Sequence, residues 1–158
     1  MIEIIQAETD EQIEQTRKLF REYEAWFGMN LCFQNFDEEV ASLPGNYAAP
    51  EGRLFLAFAN ENLAGCIALR KFEAGVCEMK RLFVKESYRG QKIGIALIEK
   101  LIAEAGKIGY EKIRLDTYPP KMAKAAGLYE SYGFRPISPY YHNPYGETLF
   151  MEKDLAKI

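Results

Sequence analysis

Apolar and polar positions along the chain fall into runs that predict most of its elements. Residues 2–6 read as a short strand. Thr9-Asp10-Glu11-Gln12 is a capping box, with Thr9 as N-cap and Gln12 three residues on. The helix it opens carries Ile13, Thr16, Leu19, Phe20, Tyr23 and Phe27 on one side and stops at Gly28. Residues 36–43 read as a second, shorter helix, and Pro44-Gly45 and Pro50-Glu51-Gly52 bracket a loop. Strands over 53–59, 63–70 and 76–84 follow, joined by polar turns at 60–62 and 73–75, as an antiparallel meander. A helix over about 89–107 turns Ile93, Leu97, Leu101 and Ile108 inward and ends at Gly109. A strand over 112–118 comes next. A strand–helix–strand crossover is right-handed and makes the strands on either side of it parallel. Pro119-Pro120 ends that strand. A helix over 122–132, strands over 134–137 and 148–154, and an aromatic loop over 140–146 complete the chain.

The stretch from Leu82 to Leu97 carries the most chemistry. It reads as a buried strand, a polar and glycine-containing turn, and the first turns of an amphipathic helix. Gly90 has no Cβ, so a ligand can approach its backbone closely. The amides of Gln91, Lys92, Ile93 and Gly94 fall in the first helical turn, where N–H groups lack intrahelical partners. Those donors and the positive end of the helix dipole suit a phosphate or pyrophosphate, and Arg89 and Lys92 add charge beside them.

Length, charge and cysteine usage narrow the class. The 158 residues are read as one domain, 1–158. A net charge of −3 argues against a nucleic-acid binder, and no apolar run approaches the roughly 20 residues of a membrane span. The first residues lack the basic start and cleavage site of a secretory leader. The three cysteines are odd in number and in no metal spacing, so no metal site is expected. They read as reduced core thiols, and the expected compartment is the cytoplasm.

The order of elements resembles the GCN5-related N-acetyltransferase (GNAT) superfamily. Its phosphate-turn pattern, Arg/Gln-x-x-Gly-x-Gly/Ala, matches at Arg89 and Gly94 and departs at Lys92, which stands at the glycine position. The runs at 78–84, 128–134 and 149–152 agree with the likeness, which covers essentially the whole chain. It implies an α/β fold: a mixed, mostly antiparallel central sheet with a splayed parallel strand pair and helices on both faces. It also implies acetyl-CoA as co-substrate and transfer of acetyl to a primary amine of a small molecule or peptide, and a homodimer as one assembly. The pyrophosphate would rest on the turn from Arg89 to Gly94. The pantetheine arm would pair with the main chain of the Leu82-Phe83-Val84 strand, and an amide near Leu82 would face the oxyanion.

Two residues stand at positions that carry catalysis in similar members. Glu78, six residues before Val84, is the candidate base, and partial desolvation in the cleft would raise its pKa. Strand alternation places Glu78, Lys80 and Leu82 on one face and Met79, Arg81 and Phe83 on the other. Tyr129, four residues before Gly133-Phe134, is the candidate acid for the leaving thiolate and a coenzyme contact. Seven positions before it, Met122 stands where the family often has asparagine. Tyr140, Tyr141, Asn143, Pro144 and Tyr145, with Trp26, Phe27, Phe33 and Tyr118, are candidates to shape the acceptor pocket, the alternative being sheet-covering core. Arg70, Lys71, Lys80 and Arg81 are candidates to hold an acceptor carboxylate, the alternative being ordinary surface charge. His142, the lone histidine, is read as a loop residue. Two other readings stay open: a non-catalytic acyl-CoA-binding sensor and a nucleotide-binding α/β domain. The antiparallel meander ahead of the turn speaks against the second.

Overall fold

The fold is taken from a computed structural model that describes residues 1–28, 31 and 35–155. Cys32 and Phe33 lie outside them. Strands β1 (Ile2–Gln6), β2 (Arg53–Ala59), β3 (Asn62–Glu73), β4 (Val76–Val84), β5 (Lys112–Thr117), β6 (Arg135–Ile137) and β7 (Leu149–Asp154) form one sheet, and the helices are α1 (Asp10–Phe27), α2 (Phe36–Ala41), α3 (Ile93–Ile108) and α4 (Ala123–Ser131). The strand order is β1-β2-β3-β4-β5-β7-β6. Every neighbouring pair is antiparallel except β4 and β5. The expected class and the crossover around α3 are therefore both present.

Local chemistry explains the helix that starts the chain. Thr9 Oγ1 accepts from Gln12 N at 3.1 Å, and Gln12 Oε1 accepts from Thr9 N at 3.0 Å, closing the predicted capping box. Such a cap contributes on the order of 1 kcal/mol. α2 ends at Ala41, sooner than its apolar pattern suggests: Ser42 closes the last helical bond to the Glu38 carbonyl, and Pro44, two residues on, has no N–H and disfavours helical backbone at Leu43.

Each face of the sheet has its own apolar layer. Ile93, Leu97, Ile98 and Leu101 of α3 pack with Ile67, Leu69, Ile113 and Leu115 on one face. Leu19, Phe20, Tyr23 and Phe27 of α1 pack with Leu54, Leu56, Cys66 and Phe83 on the other. Cys66 and Cys77 are both buried and free, and belong to opposite layers. Burial raises both thiol pKa values. No helix among the described residues is long and apolar enough to cross a membrane.

Candidate active site

β4 and β5 pair at only three positions, Val76–Lys112, Cys77–Ile113 and Glu78–Arg114. Beyond them β5 continues along β7 to Thr117–Leu149, and β4 continues along β3 to Gly65–Val84, so the two strands part toward their carboxyl ends. The cause lies in β4. Ala68 faces Lys80 and Cys66 faces Phe83, which leaves one extra residue on β4 opposite Ile67. Arg81 takes it up in a left-handed conformation, φ 62°. A bulge of this kind bends its strand and increases its twist. Past Glu78, the side of β4 that faced β5 has no strand partner among the described residues, an edge that an extended diamide can join.

The bulge also corrects the expected alternation. Arg81 stays on the face of Glu78 and Lys80, toward α1 and α2. Leu82 joins Met79 and Val84 against the α3 layer. Gly65 lies where β3 and β4 come closest in this region: a Cβ built there would sit 2.6 Å from the Phe83 carbonyl oxygen. Gly65→Ala is expected to push β4 outward, with a stability loss of about 1–3 kcal/mol and weaker coenzyme binding. Thermal unfolding and a coenzyme titration check this, and an unchanged melting temperature would contradict it.

The turn that follows β4 aims backbone donors at the same end of the cleft. A 3-10 turn over Glu86–Tyr88 leads to an extended Arg89, then Gly90 at φ 85° and Lys92 at φ 66°. α3 starts only at Ile93, four residues after the periodicity places it, because left-handed residues precede it. No side chain caps that end of the helix, and a Cβ placed on Gly90 would meet nothing within 4 Å. An uncapped helix N-terminus behind an open glycine fits a diphosphate. Lys92 departs from the family's glycine at a cost of about 1–2 kcal/mol, since its side chain is forced into the left-handed region. Arg89 turns its guanidinium the other way. Its Nε donates to the Val84 carbonyl at 2.9 Å, and the group lies 5.2 Å from the Trp26 ring centroid and 5.7 Å from that of Phe83.

The cleft between the parted strands is lined by residues from both layers. Met79, Leu82 and Tyr129 come from the α3–α4 side, and Tyr23, Phe27, Lys80, Arg81, Asp116, Tyr118, Met122, Asn143 and Tyr145 from the other. Tyr129 is buried and packs at 60° to Phe134, 5.7 Å between centroids. No described residue bonds its hydroxyl. Burial, with Tyr23 and Asp116 adding, raises its pKa, so the phenol is fully protonated at neutral pH.

Glu78 differs from expectation. It is 1% exposed and does not line the cleft. Arg70 Nη2 reaches its Oε1 at 2.8 Å and Arg70 Nε donates to the same oxygen at 2.9 Å; the Tyr140 hydroxyl donates to Oε2 at 2.7 Å, and Lys80 Nζ lies 3.9 Å from Oε2. Burial alone would raise its pKa. The charges of Lys80 and Arg70 and the bonds from Tyr140 and Arg70 outweigh burial and hold the carboxyl below its usual range, the reverse of the expected shift.

The carboxylate that does line the cleft is Asp116, near the carboxyl end of β5. It accepts a hydrogen bond from the Tyr141 hydroxyl, which in turn accepts from Asn143 Nδ2 at 3.0 Å. Tyr140 and Tyr141 thereby pin the aromatic loop to the sheet and leave Asn143 and Tyr145 at the cleft. His142 and Pro144 are exposed, Trp26 packs beneath Arg89 and Lys121, and Lys71 pairs with Glu51 at the surface.

Residues 9–134 match the model of the acetyltransferase (GNAT) family. The chain belongs to the GNAT family. Over 158 aligned residues it is 37% identical to an uncharacterised N-acetyltransferase of Schizosaccharomyces pombe, covering 99% of this chain and 96% of the relative. A GNAT-family acetyltransferase of Staphylococcus aureus superposes with a TM-score of 0.81 at 23% identity, covering 99% of this chain and all of the other. The PaiA N-acetyltransferase of Thermoplasma acidophilum, solved with coenzyme A, superposes with a TM-score of 0.76 at 22% identity, covering 98% and 99%. The GNAT chain described here is an enzyme, an acyl-CoA-dependent acyltransferase. Its sequence hides two of the site's features: Asp116, marked only by its place at the carboxyl end of a strand where α/β ligands bind, and the bulge, which no β4 residue type announces.

Proposed function

We propose that the enzyme transfers an acetyl group from acetyl-CoA to a primary amine in the cleft between β4 and β5. The observation that carries this reading is the parting of those strands in front of an uncapped helix N-terminus. The coenzyme diphosphate would lie on the backbone from Arg89 to Gly94, and the pantetheine arm along Leu82-Phe83-Val84.

In the proposed reaction Asp116 takes a proton from the acceptor ammonium. The freed amine lone pair forms the C–N bond at the thioester carbonyl, and a β4 amide near Leu82 holds the oxyanion. Collapse breaks the C–S bond. The thiolate takes the Tyr129 hydroxyl proton and leaves as free coenzyme thiol; the nitrogen yields its surplus proton to water, from which Tyr129 is restored, and Asp116 releases its own proton to solvent. Glu78 acts as a positioning residue, because its charge holds Arg70, Lys80 and Tyr140 in place.

Release of free thiol from acetyl-CoA with a panel of amines tests the activity, and absence of turnover with every amine would sink it. Tyr129→Phe is expected to lower kcat by about 100-fold or more with little change in the KM for acetyl-CoA. A kcat equal to wild type would remove Tyr129 from the acid role.

A further inference from the structure

The loop between β6 and β7 crosses the fork of β4 and β5 with two neighbouring tyrosines. Pairing of the two strands ends at Glu78–Arg114. The Tyr140 hydroxyl donates to Glu78 Oε2 at 2.7 Å, on the β4 side of that last pair. The Tyr141 hydroxyl donates to Asp116 Oδ2, farther along β5. Adjacent residues of one loop thus tie the two strands where they begin to part. The rings hold their places without those bonds. Tyr140 meets Phe72 and Phe150 edge-on, each at 5.1 Å between centroids, and Tyr141 meets Phe150 at 5.2 Å.

The direction of the hydrogen bond at Tyr141 is fixed from behind. The Tyr145 amide donates to Asn143 Oδ1 at 2.8 Å, which sets the orientation of that side-chain amide, and Asn143 Nδ2 donates to the Tyr141 oxygen at 3.0 Å. With its oxygen accepting there, Tyr141 points its proton at Asp116. Burial and the charge of Asp116 raise the Tyr141 pKa, so the phenol stays a donor at neutral pH. The three bonds run one way, from the loop backbone to the carboxylate, and bonds in such a chain strengthen one another. They end on Oδ2 and leave Oδ1 to receive a proton. An amide does not pass protons along, so the chain orients Asp116 and does not drain it. Asp116 lines the cleft, whereas Tyr141 stands behind it.

We infer that Tyr141 is the positioning residue of Asp116: its hydroxyl, aimed by Asn143, holds the carboxylate in one rotamer with Oδ1 toward the acceptor amine. This rests on the N-acetyltransferase reading and adds a residue to it. A carboxylate already held in place meets the ammonium without first losing rotational freedom.

A double-mutant cycle on kcat tests this, by thiol release from acetyl-CoA with an amine that the wild type acetylates. Tyr141→Phe removes one oxygen and keeps the ring. Its kcat should fall about tenfold or more, the worth of a hydrogen bond to a charged group, with the KM for acetyl-CoA unchanged. In an Asp116→Asn background the same change should cost less than about twofold, since no base is left to orient. A loss through loosened packing would be equal in the two backgrounds. Asn143→Asp is a second variant, independent of how Tyr141→Phe folds. Its carboxylate still accepts from the Tyr145 amide, but it cannot donate to Tyr141 and competes for the tyrosine's proton, so kcat should fall by a similar factor. Equal losses in both backgrounds, a Tyr141→Phe kcat within about twofold of wild type, or an Asn143→Asp kcat equal to wild type would overturn the inference and leave the N-acetyltransferase reading standing. An Asp116→Asn enzyme as fast as wild type removes the base and the inference together. No turnover with any amine takes the acetyltransferase reading down as well.

Discussion

Asp116→Asn is expected to lower kcat by about 100- to 1,000-fold, the usual worth of a positioned general base. Asparagine keeps the shape and can still accept from the Tyr141 hydroxyl, so the pinned loop and the fold should survive. What it lacks is a site for the ammonium proton. Residual activity should rise with pH as free amine becomes available. Rate measurements over a pH series check both effects. A variant within threefold of wild type would show that Asp116 does not take the proton.

Glu78→Gln should act mainly on stability. Removing one member of a buried ion pair leaves the other charge uncompensated, at a cost of about 3–5 kcal/mol when both are buried. Arg70 is 35% exposed in its side chain and keeps some hydration, so roughly 2–3 kcal/mol is the expected loss. The pH dependence has a fixed sign. The folded-state pKa of Glu78 lies below its unfolded value. Its contribution to stability is therefore present above the unfolded pKa and is lost as pH falls through the folded one. The stability gap between wild type and Glu78→Gln should be full near neutrality and shrink from about pH 5 downward. Denaturant unfolding at several pH values measures it. In kinetics, Glu78→Gln should raise the acceptor KM, because Lys80 and Tyr140 lose their anchor, while kcat changes little. A fall in kcat as large as that expected of Asp116→Asn would restore Glu78 as the base.

Periodicity and turn residues disclose the fold because they are local. The Thr9 capping box, the Gly28 and Gly109 stops and the two polar turns of the meander each name a boundary through short-range chemistry. The parallel β4–β5 pair follows from handedness alone. Periodicity places the start of α3 too early because Arg89 to Lys92 contain no helix breaker except Gly90, and the left-handed turn at Lys92 runs against lysine's own preference. In the site, Tyr129 and the phosphate turn are legible since they sit at fixed distances from glycines. The face of each β4 residue is not. Simple alternation holds from Val76 to Lys80, and the extra residue at Arg81 then flips Leu82 to the other side. The sign of the Glu78 shift depends on Arg70 and Tyr140, eight and 62 residues away, a meeting that no local pattern records.

The central claim is that backbone donors at the start of α3 hold a diphosphate beside the gap between β4 and β5. Calorimetric titration with coenzyme A and with pantetheine, which lacks the diphosphate, tests it most directly. The predicted result is one coenzyme A bound per chain, with pantetheine at least about tenfold weaker, as expected for losing charge-assisted bonds to a helix N-terminus. Equal affinity for the two, or no heat with coenzyme A, would contradict it.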